Sequence, residues 1–257
     1  MKQTVKKVIP NWVLRKYTKY KIAQRHKGQD VFCPICRSYF NRFGTYGLNH
    51  RENARCHYCG SLERHRLIWK YVFESSDILK NETALRVLHF APELFFYKRF
   101  SKMKFKTYVP CDLFPQKYSY IGPIRIEKVD ITEIPYENDY FDFIICNHVL
   151  EHIPDDHKAM SELFRVMKKG GQGIFQVPMD TNSDTTYEDW TITEPHERVE
   201  AFGQEDHVRL YGNDYKDRLE AVGFQVHLDD YALQFSEMER FKYGVDGNEI
   251  IYKCVKP

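Results

Sequence analysis

The chain has 257 residues, 42% hydrophobic and 15% aromatic, which suffices for one sizeable domain with an appendage and a full core. Its net charge of +2 selects no partner, and without a long apolar run it offers no membrane-spanning helix. The first residues are basic but carry no apolar signal core, so the reading expects no secretory leader and a cytoplasmic location.

The charge is unevenly spread. Residues 1–30 hold nine Lys/Arg (Lys2, Lys6, Lys7, Arg15, Lys16, Lys19, Lys21, Arg25, Lys27) against one acid, Asp30. A head of +8 therefore precedes a body of −6. The segment reads as a basic helix packed through Trp12, Val13, Leu14, Tyr17 and Tyr20. Such a head is either a solvated face or a contact for RNA, an anionic lipid surface or an acidic partner.

Residues 31–60 read as a zinc ribbon. Cys33, Cys36, Cys56 and Cys59 form two CxxC pairs with 19 residues between them, the spacing of a four-thiolate zinc site. Four thiolates close a tetrahedron, so the expected zinc is structural and His57, inside the second pair, is a bystander. So small a segment has little core, and metal binding would supply most of its folding free energy, roughly 10–16 kcal/mol in zinc-finger peptides. Cys111, Cys146 and Cys254 sit in apolar strand-like contexts and read as buried thiols. Residues 61–83 read as a connecting helix, with Ser61 as its cap and Leu62, His65, Trp69, Val72 and Phe73 near one face.

From residue 84 to 257 short apolar strands alternate with helices, at 85–90, 106–111, 124–129, 141–147, 173–177, 224–228 and 250–255. That alternation predicts an α/β domain with a parallel sheet covered on both faces and a ligand site at the carboxyl ends of its strands. Asp112 ends the second strand, 19 residues beyond Glu93, where a carboxylate can accept both hydroxyls of a ribose. Asp130 ends the third, within reach of an adenine amine. The fourth strand delivers Asn147 and His148 at its tip.

The stretches FDFIICNHVLEHIPD and LFRVMKKGGQGIFQVP resemble the central motifs of class I S-adenosylmethionine-dependent methyltransferases. With the CxxC pairs, GSLERHR, VLHFAPE and FGQEDHVRLYG, the chain resembles a bacterial branch of that family bearing an N-terminal zinc ribbon. The resemblance implies a Rossmann-like seven-stranded, mostly parallel sheet of order 3-2-1-4-5-7-6 with the last strand antiparallel, and S-adenosylmethionine as cofactor. In that family the loop after the first strand is glycine-rich; here it is His89-Phe90-Ala91-Pro92-Glu93, without glycine. Proline suits a first helical turn, whose free amides could receive the methionyl carboxylate, with Glu93 pairing the ammonium. Expected cofactor-binding residues are therefore His89, Phe90, Ala91, Pro92, Glu93, Asp112, Leu113, Asp130, Ile131, Asn147 and His148.

Methyl transfer to oxygen or nitrogen needs proximity and a base. The long polar connection 180–212 is the expected acceptor site. It offers Asp206 and His207 as an acid–base pair, with His148 beside them, and Tyr187, Trp190, His196, Arg198, Arg209 and Tyr211 to bind the acceptor. His148, Glu151 and His152 also spell HxxEH, an inverted zincin pattern. It begins at a strand tip and Pro154 soon breaks the segment, so a structural role after the strand is expected there. The leading expectation is a methyltransferase acting on a small molecule or saccharide. Two alternatives remain open: an RNA methyltransferase using the ribbon and basic head, against which NHVL replaces an NPPY-like motif, and a non-catalytic ribbon–Rossmann scaffold.

Overall fold

A computed structural model describes residues 11–47, 50–121 and 124–257. The first ten residues of the basic segment, and the side chains of Trp12, Arg15 and Lys16, lie outside the described residues. The chain divides into two compact units. One comprises 1–79 with 117–124 and 230–250; the other comprises 80–116, 125–229 and 251–257. Residues 230–250, expected with the α/β domain, thus group with the ribbon.

In the first unit, helix α1 (Asn11–Arg25) leads into strands β1 (Lys27–Cys33) and β2 (Ser38–Phe40), which pair antiparallel. Strands β3 (Gly44–Tyr46) and β4 (Arg51–Arg55) form a second antiparallel pair. Val31, Cys33, Phe40, Phe43 and Cys56 make the small ribbon core, joined by Ala23 of α1. On the described part of α1, Tyr17 and Tyr20 are exposed rather than packed. Helix α2 (Glu63–Lys70) follows. Ser61, expected to cap it, instead turns its hydroxyl to the sulfurs of Cys33 and Cys59; the Leu62 amide donates to His65 Nδ1 at 3.0 Å.

Arg66 of α2 ties this unit together. It is wholly buried and donates to the carbonyls of Ser61, Ala54, Tyr243 and Gly244. Its guanidinium lies 4.1 Å from the Phe43 ring centroid. A buried guanidinium is tolerated only when its donors are met, and these carbonyls meet them. Gly244 ends the helix Glu237–Tyr243 with φ +56. A Cβ there would stand 2.5 Å from Phe43 and 2.7 Å from Arg66, so the close approach as well as the left-handed turn requires glycine.

The second unit holds the sheet. Its strands are β5 (Arg86–Phe90), β6 (Thr107–Asp112), β7 (Glu127–Lys128), β8 (Phe141–Asn147), β9 (Met167–Gln176), β12 (Gln225–Asp229) and β13 (Ile251–Val255). The order is β12-β13-β9-β8-β5-β6-β7. Counted within the sheet this is 3-2-1-4-5-7-6, and β13 alone runs antiparallel to its neighbours β9 and β12. The sheet order and the antiparallel last strand are as expected. Apolar residues of β5, β6, β8 and β9 form one core with Ala159, Met160, Leu163 and Val166 of helix α3 (Asp156–Val166). Cys111, Cys146 and Cys254 are buried in that core as thiols, and burial pushes each of them up. Beyond β9 the expected loop 180–212 is largely built. Strands β10 (Tyr187–Glu188) and β11 (Arg209–Leu210) pair antiparallel, with helix Pro195–Phe202 between them.

Candidate active site

The carboxyl ends of β5 and β8 lie side by side, Phe90 pairing with Cys146. The residue after each strand takes a left-handed backbone: Ala91 at φ +44 and His148 at φ +53. Each costs about 1–2 kcal/mol for a residue with a side chain, and such strain gathers at sites where the surrounding structure over-determines it. Ala91 therefore adopts the turn that glycine would supply, held by its amide on the Cys111 carbonyl at 2.9 Å. Pro92 is buried and Glu93 precedes the short helix Leu94–Phe100.

Behind this turn is a polar chain. His89 is fully buried, with Nδ1 3.0 Å from the Tyr108 hydroxyl and Nε2 3.3 Å from Glu93 Oε2. A carboxylate only accepts, so Nε2 carries the hydrogen and Nδ1 accepts from Tyr108. Asn147 Nδ2 points at the other Glu93 oxygen at 3.5 Å. Asn147 is 4% exposed, and its Oδ1 has no hydrogen-bond partner among the described residues. A buried orphan acceptor costs roughly 1–3 kcal/mol unless a ligand donor meets it. Tyr108, which the sequence reading omitted, completes the chain; only its register opposite Val87, two residues before His89 on the neighbouring strand, marks it.

Asp112 ends β6 half-buried, and its Oδ1 accepts the Phe114 amide at 2.7 Å. Leu113 beside it is 36% exposed. Asp130 is exposed and turns its Oδ1 to the Thr132 amide and hydroxyl, at 2.8 and 2.7 Å. Ile131 is core.

The expected acceptor residues divide into two groups. Tyr187 and Trp190 are exposed at 47% and 56%, His196 is exposed, and Arg198 is half-buried with Nε on the Ile192 carbonyl. Arg209 and Tyr211, by contrast, are buried struts. Arg209 donates to Glu188 and to the carbonyls of Leu150, Ile153 and Pro154. Tyr211 donates to Asp156 Oδ2 at 2.8 Å, and burial drives its hydroxyl well up. Their polar atoms are committed to holding the segment after β8.

The expected Asp206–His207 pair is also rearranged. Asp206 faces His152 Nδ1 at 3.4 Å and accepts from Gln204 at 2.7 Å. His207, 6% exposed, places Nδ1 2.9 Å from the Phe202 carbonyl. Its Nε2 lies 4.0 Å from Oε1 of buried Glu151. The same oxygen is 4.0 Å from His152 Nε2 and 3.3 Å from His148 Nδ1. Burial lowers the His207 pKa, which favours the neutral ring. Glu151 and His152 lie on a single 3-10 turn, Leu150–His152, rather than on an α-helix. The HxxEH pattern was the signal that could have found them.

In the ribbon, Cys33 Sγ lies 3.6 Å from Cys59 Sγ, and Cys36 Sγ 3.6 Å from Cys56 Sγ. Four sulfurs about 2.3 Å from one ion would stand roughly 3.8 Å apart, so the cluster has the size of a tetrahedral zinc site. Hydrogen bonds from Cys36 and its neighbours drive the Cys33 thiol down, while Cys33 drives those of Cys36, Cys56 and Cys59 up. Four thiolates and one dication would leave two negative charges, which the buried guanidinium of Arg66 offsets in part; burial lowers its pKa, and the charges of Cys33, Cys56 and Cys59 oppose that.

The methyltransferase domain family matches residues 100–175. The ubiquinone/menaquinone biosynthesis C-methyltransferase UbiE of Vibrio vulnificus is 35% identical over 52 residues, 20% of this chain and 20% of that protein. The UbiE of Idiomarina loihiensis is 30% identical over 71 residues, 26% of this chain and 28% of that protein. The chain thus spans well under a third of these relatives. Among solved structures, the [4+2]-cyclase SpnF superposes with a TM-score of 0.53 at 11% identity, covering 84% of this chain and 88% of that one. The likeness shows the fold alone; a fold shared with a cyclase leaves the reaction to the site. The sheet has the strand order of the class I S-adenosylmethionine-dependent methyltransferase fold, and residues 100–175 within it match the methyltransferase domain family.

Proposed function

We propose that the chain transfers a methyl group from S-adenosylmethionine to an oxygen or nitrogen of a small-molecule or saccharide acceptor, and that its ribbon holds one structural zinc. The observation that carries the reading is the unpartnered Asn147 Oδ1 beside the Glu93 carboxylate at the tips of β5 and β8. Acceptor atoms of this kind suit an ammonium group, which the methionyl end of the cofactor has.

Asp112, at the tip of the next strand, would accept the ribose hydroxyls. The bound cofactor supplies an electrophilic methyl on a sulfonium. The chain supplies proximity and a proton acceptor for the incoming hydroxyl or amine. Glu151 and the neutral Nε2 of His207 are the buried groups beside the β8 tip able to take that proton. Tyr187 and Trp190, exposed on the excursion after β9, offer aromatic faces for the acceptor, against which sugars and small rings pack.

Calorimetric titration of the chain with S-adenosylmethionine tests the reading. Saturable binding that weakens tenfold or more in Asp112→Ala supports it; no binding by the folded wild-type chain overturns it.

A further inference from the structure

We propose that Glu151, His152 and His207 bind a divalent first-row metal ion, at a site distinct from the four-cysteine cluster. Glu151 Oε1 stands 4.0 Å from each of the two histidine Nε2 atoms, and the three ligand atoms all lie within 4.8 Å of one another. Ligand atoms roughly 2.1 Å from a common ion stand about 3–4 Å apart, so a small contraction brings all three onto one centre.

Both imidazoles turn their Nδ1 atoms to acceptors. His207 Nδ1 faces the Phe202 carbonyl at 2.9 Å. His152 Nδ1 faces the Asp206 carbonyl at 3.2 Å and its carboxylate at 3.4 Å. Carbonyls and carboxylates only accept, so each Nδ1 carries a hydrogen, and Nε2, on the side facing Glu151, is the nitrogen of each ring placed to ligate. Two ring nitrogens and a carboxylate oxygen thus face one another in the way the ligands of one metal ion do.

An imidazole whose far nitrogen is fixed on a carbonyl or carboxylate is also the arrangement in which histidine binds metals. His148 Nδ1, 3.3 Å from the same Glu151 oxygen, orients the carboxylate.

Two imidazoles and one carboxylate suit zinc, manganese, iron or cobalt rather than calcium or magnesium. Three protein ligands leave coordination positions open. The metal stands on the turn that follows β8, at the carboxyl edge where such sheets bind ligands. With the ion bound, His207 Nε2 and Glu151 Oε1 would hold it instead of taking the proton, and an acceptor hydroxyl in an open position would lose its proton more readily, to the second Glu151 oxygen or to solvent. In that respect the inference rests on the methyltransferase reading and deepens it: the acceptor is an oxygen nucleophile that ligates the ion.

The test uses the full chain with its ribbon zinc in place. Thiolate sites hold zinc against manganese, so added Mn²⁺ reads the second site alone. Titration with Mn²⁺, followed by electron paramagnetic resonance, should show one saturable ion per chain. Glu151→Gln, which keeps the buried shape, and His152→Ala, at a partly exposed position, should each weaken it tenfold or more. Zinc content and S-adenosylmethionine affinity should be unchanged in both variants. Absence of saturable Mn²⁺ binding in the wild type, or equal binding in both variants, overturns the proposal. Cofactor calorimetry on the same samples is independent of this readout, so failure of the metal site and failure of the methyltransferase reading are told apart.

Discussion

Asn147 and Glu93 face each other across the tips of two adjacent parallel strands, amide nitrogen to carboxylate at 3.5 Å, with the asparagine's own oxygen left unpartnered. If these groups receive the cofactor's ammonium, Glu93→Gln removes a charge-assisted contact of roughly 1.5–3 kcal/mol. At about 1.4 kcal/mol per decade the dissociation constant for S-adenosylmethionine should rise tenfold or more. Calorimetry checks this, and an unchanged constant in a folded variant places the ammonium elsewhere.

His207→Ala should lower the chemical step by roughly 10²–10⁴ while cofactor affinity barely moves, because the residue serves the acceptor side. Single-turnover rates at saturating cofactor separate the two. A variant with weakened cofactor binding and an undiminished rate would reverse the assignment.

The same histidine sets a pH dependence. Burial lowers its pKa in the folded chain, so the unfolded chain binds its proton first as pH falls. Its contribution is full above the ordinary histidine pKa of about 6.5 and is lost as pH drops below that value toward the lowered folded one. Denaturant midpoints measured between pH 7.5 and 5 should therefore fall less in His207→Gln than in the wild type. Parallel curves would show that another group dominates.

Mercurial titration of the native chain should release one zinc as the thiols of Cys33, Cys36, Cys56 and Cys59 react, because the reagent competes only for sulfur. Chelation should unfold the ribbon, since its core is little more than Val31, Phe40, Phe43 and the cysteines themselves. Retention of native ribbon signals in metal-free protein would contradict this.

Gly244→Ala places a methyl 2.5 Å from Phe43 and 2.7 Å from Arg66 at a left-handed position. Overpacking of this kind costs typically 1–3 kcal/mol, and the left-handed backbone adds to it. Equilibrium denaturation should show the loss, and Gly203→Ala, with open space around it at a comparable φ of +86, is the control for the backbone term alone.

The sequence by itself determined the features set by local periodicity and spacing. Two CxxC pairs make knuckles whatever surrounds them, and the four sulfurs do converge. Apolar strands alternating with amphipathic helices leave a parallel sheet as the way to bury both faces, and the family resemblance of the motifs around residues 141–177 implied its order, which the sheet has. The tertiary structure decided which polar side chains of the excursion after β9 are spent inside the fold. Arg209 and Tyr211 looked like acceptor ligands, yet the carbonyls after β8 and Asp156 claim them, because a buried donor must be met wherever the packing puts it. Asp206 is next to His207 in sequence but pairs with His152, while His207 reaches Glu151, 56 residues back. Neighbours along an irregular segment point apart, and only the fold of 180–212 onto the β8 turn sets which histidine meets which carboxylate.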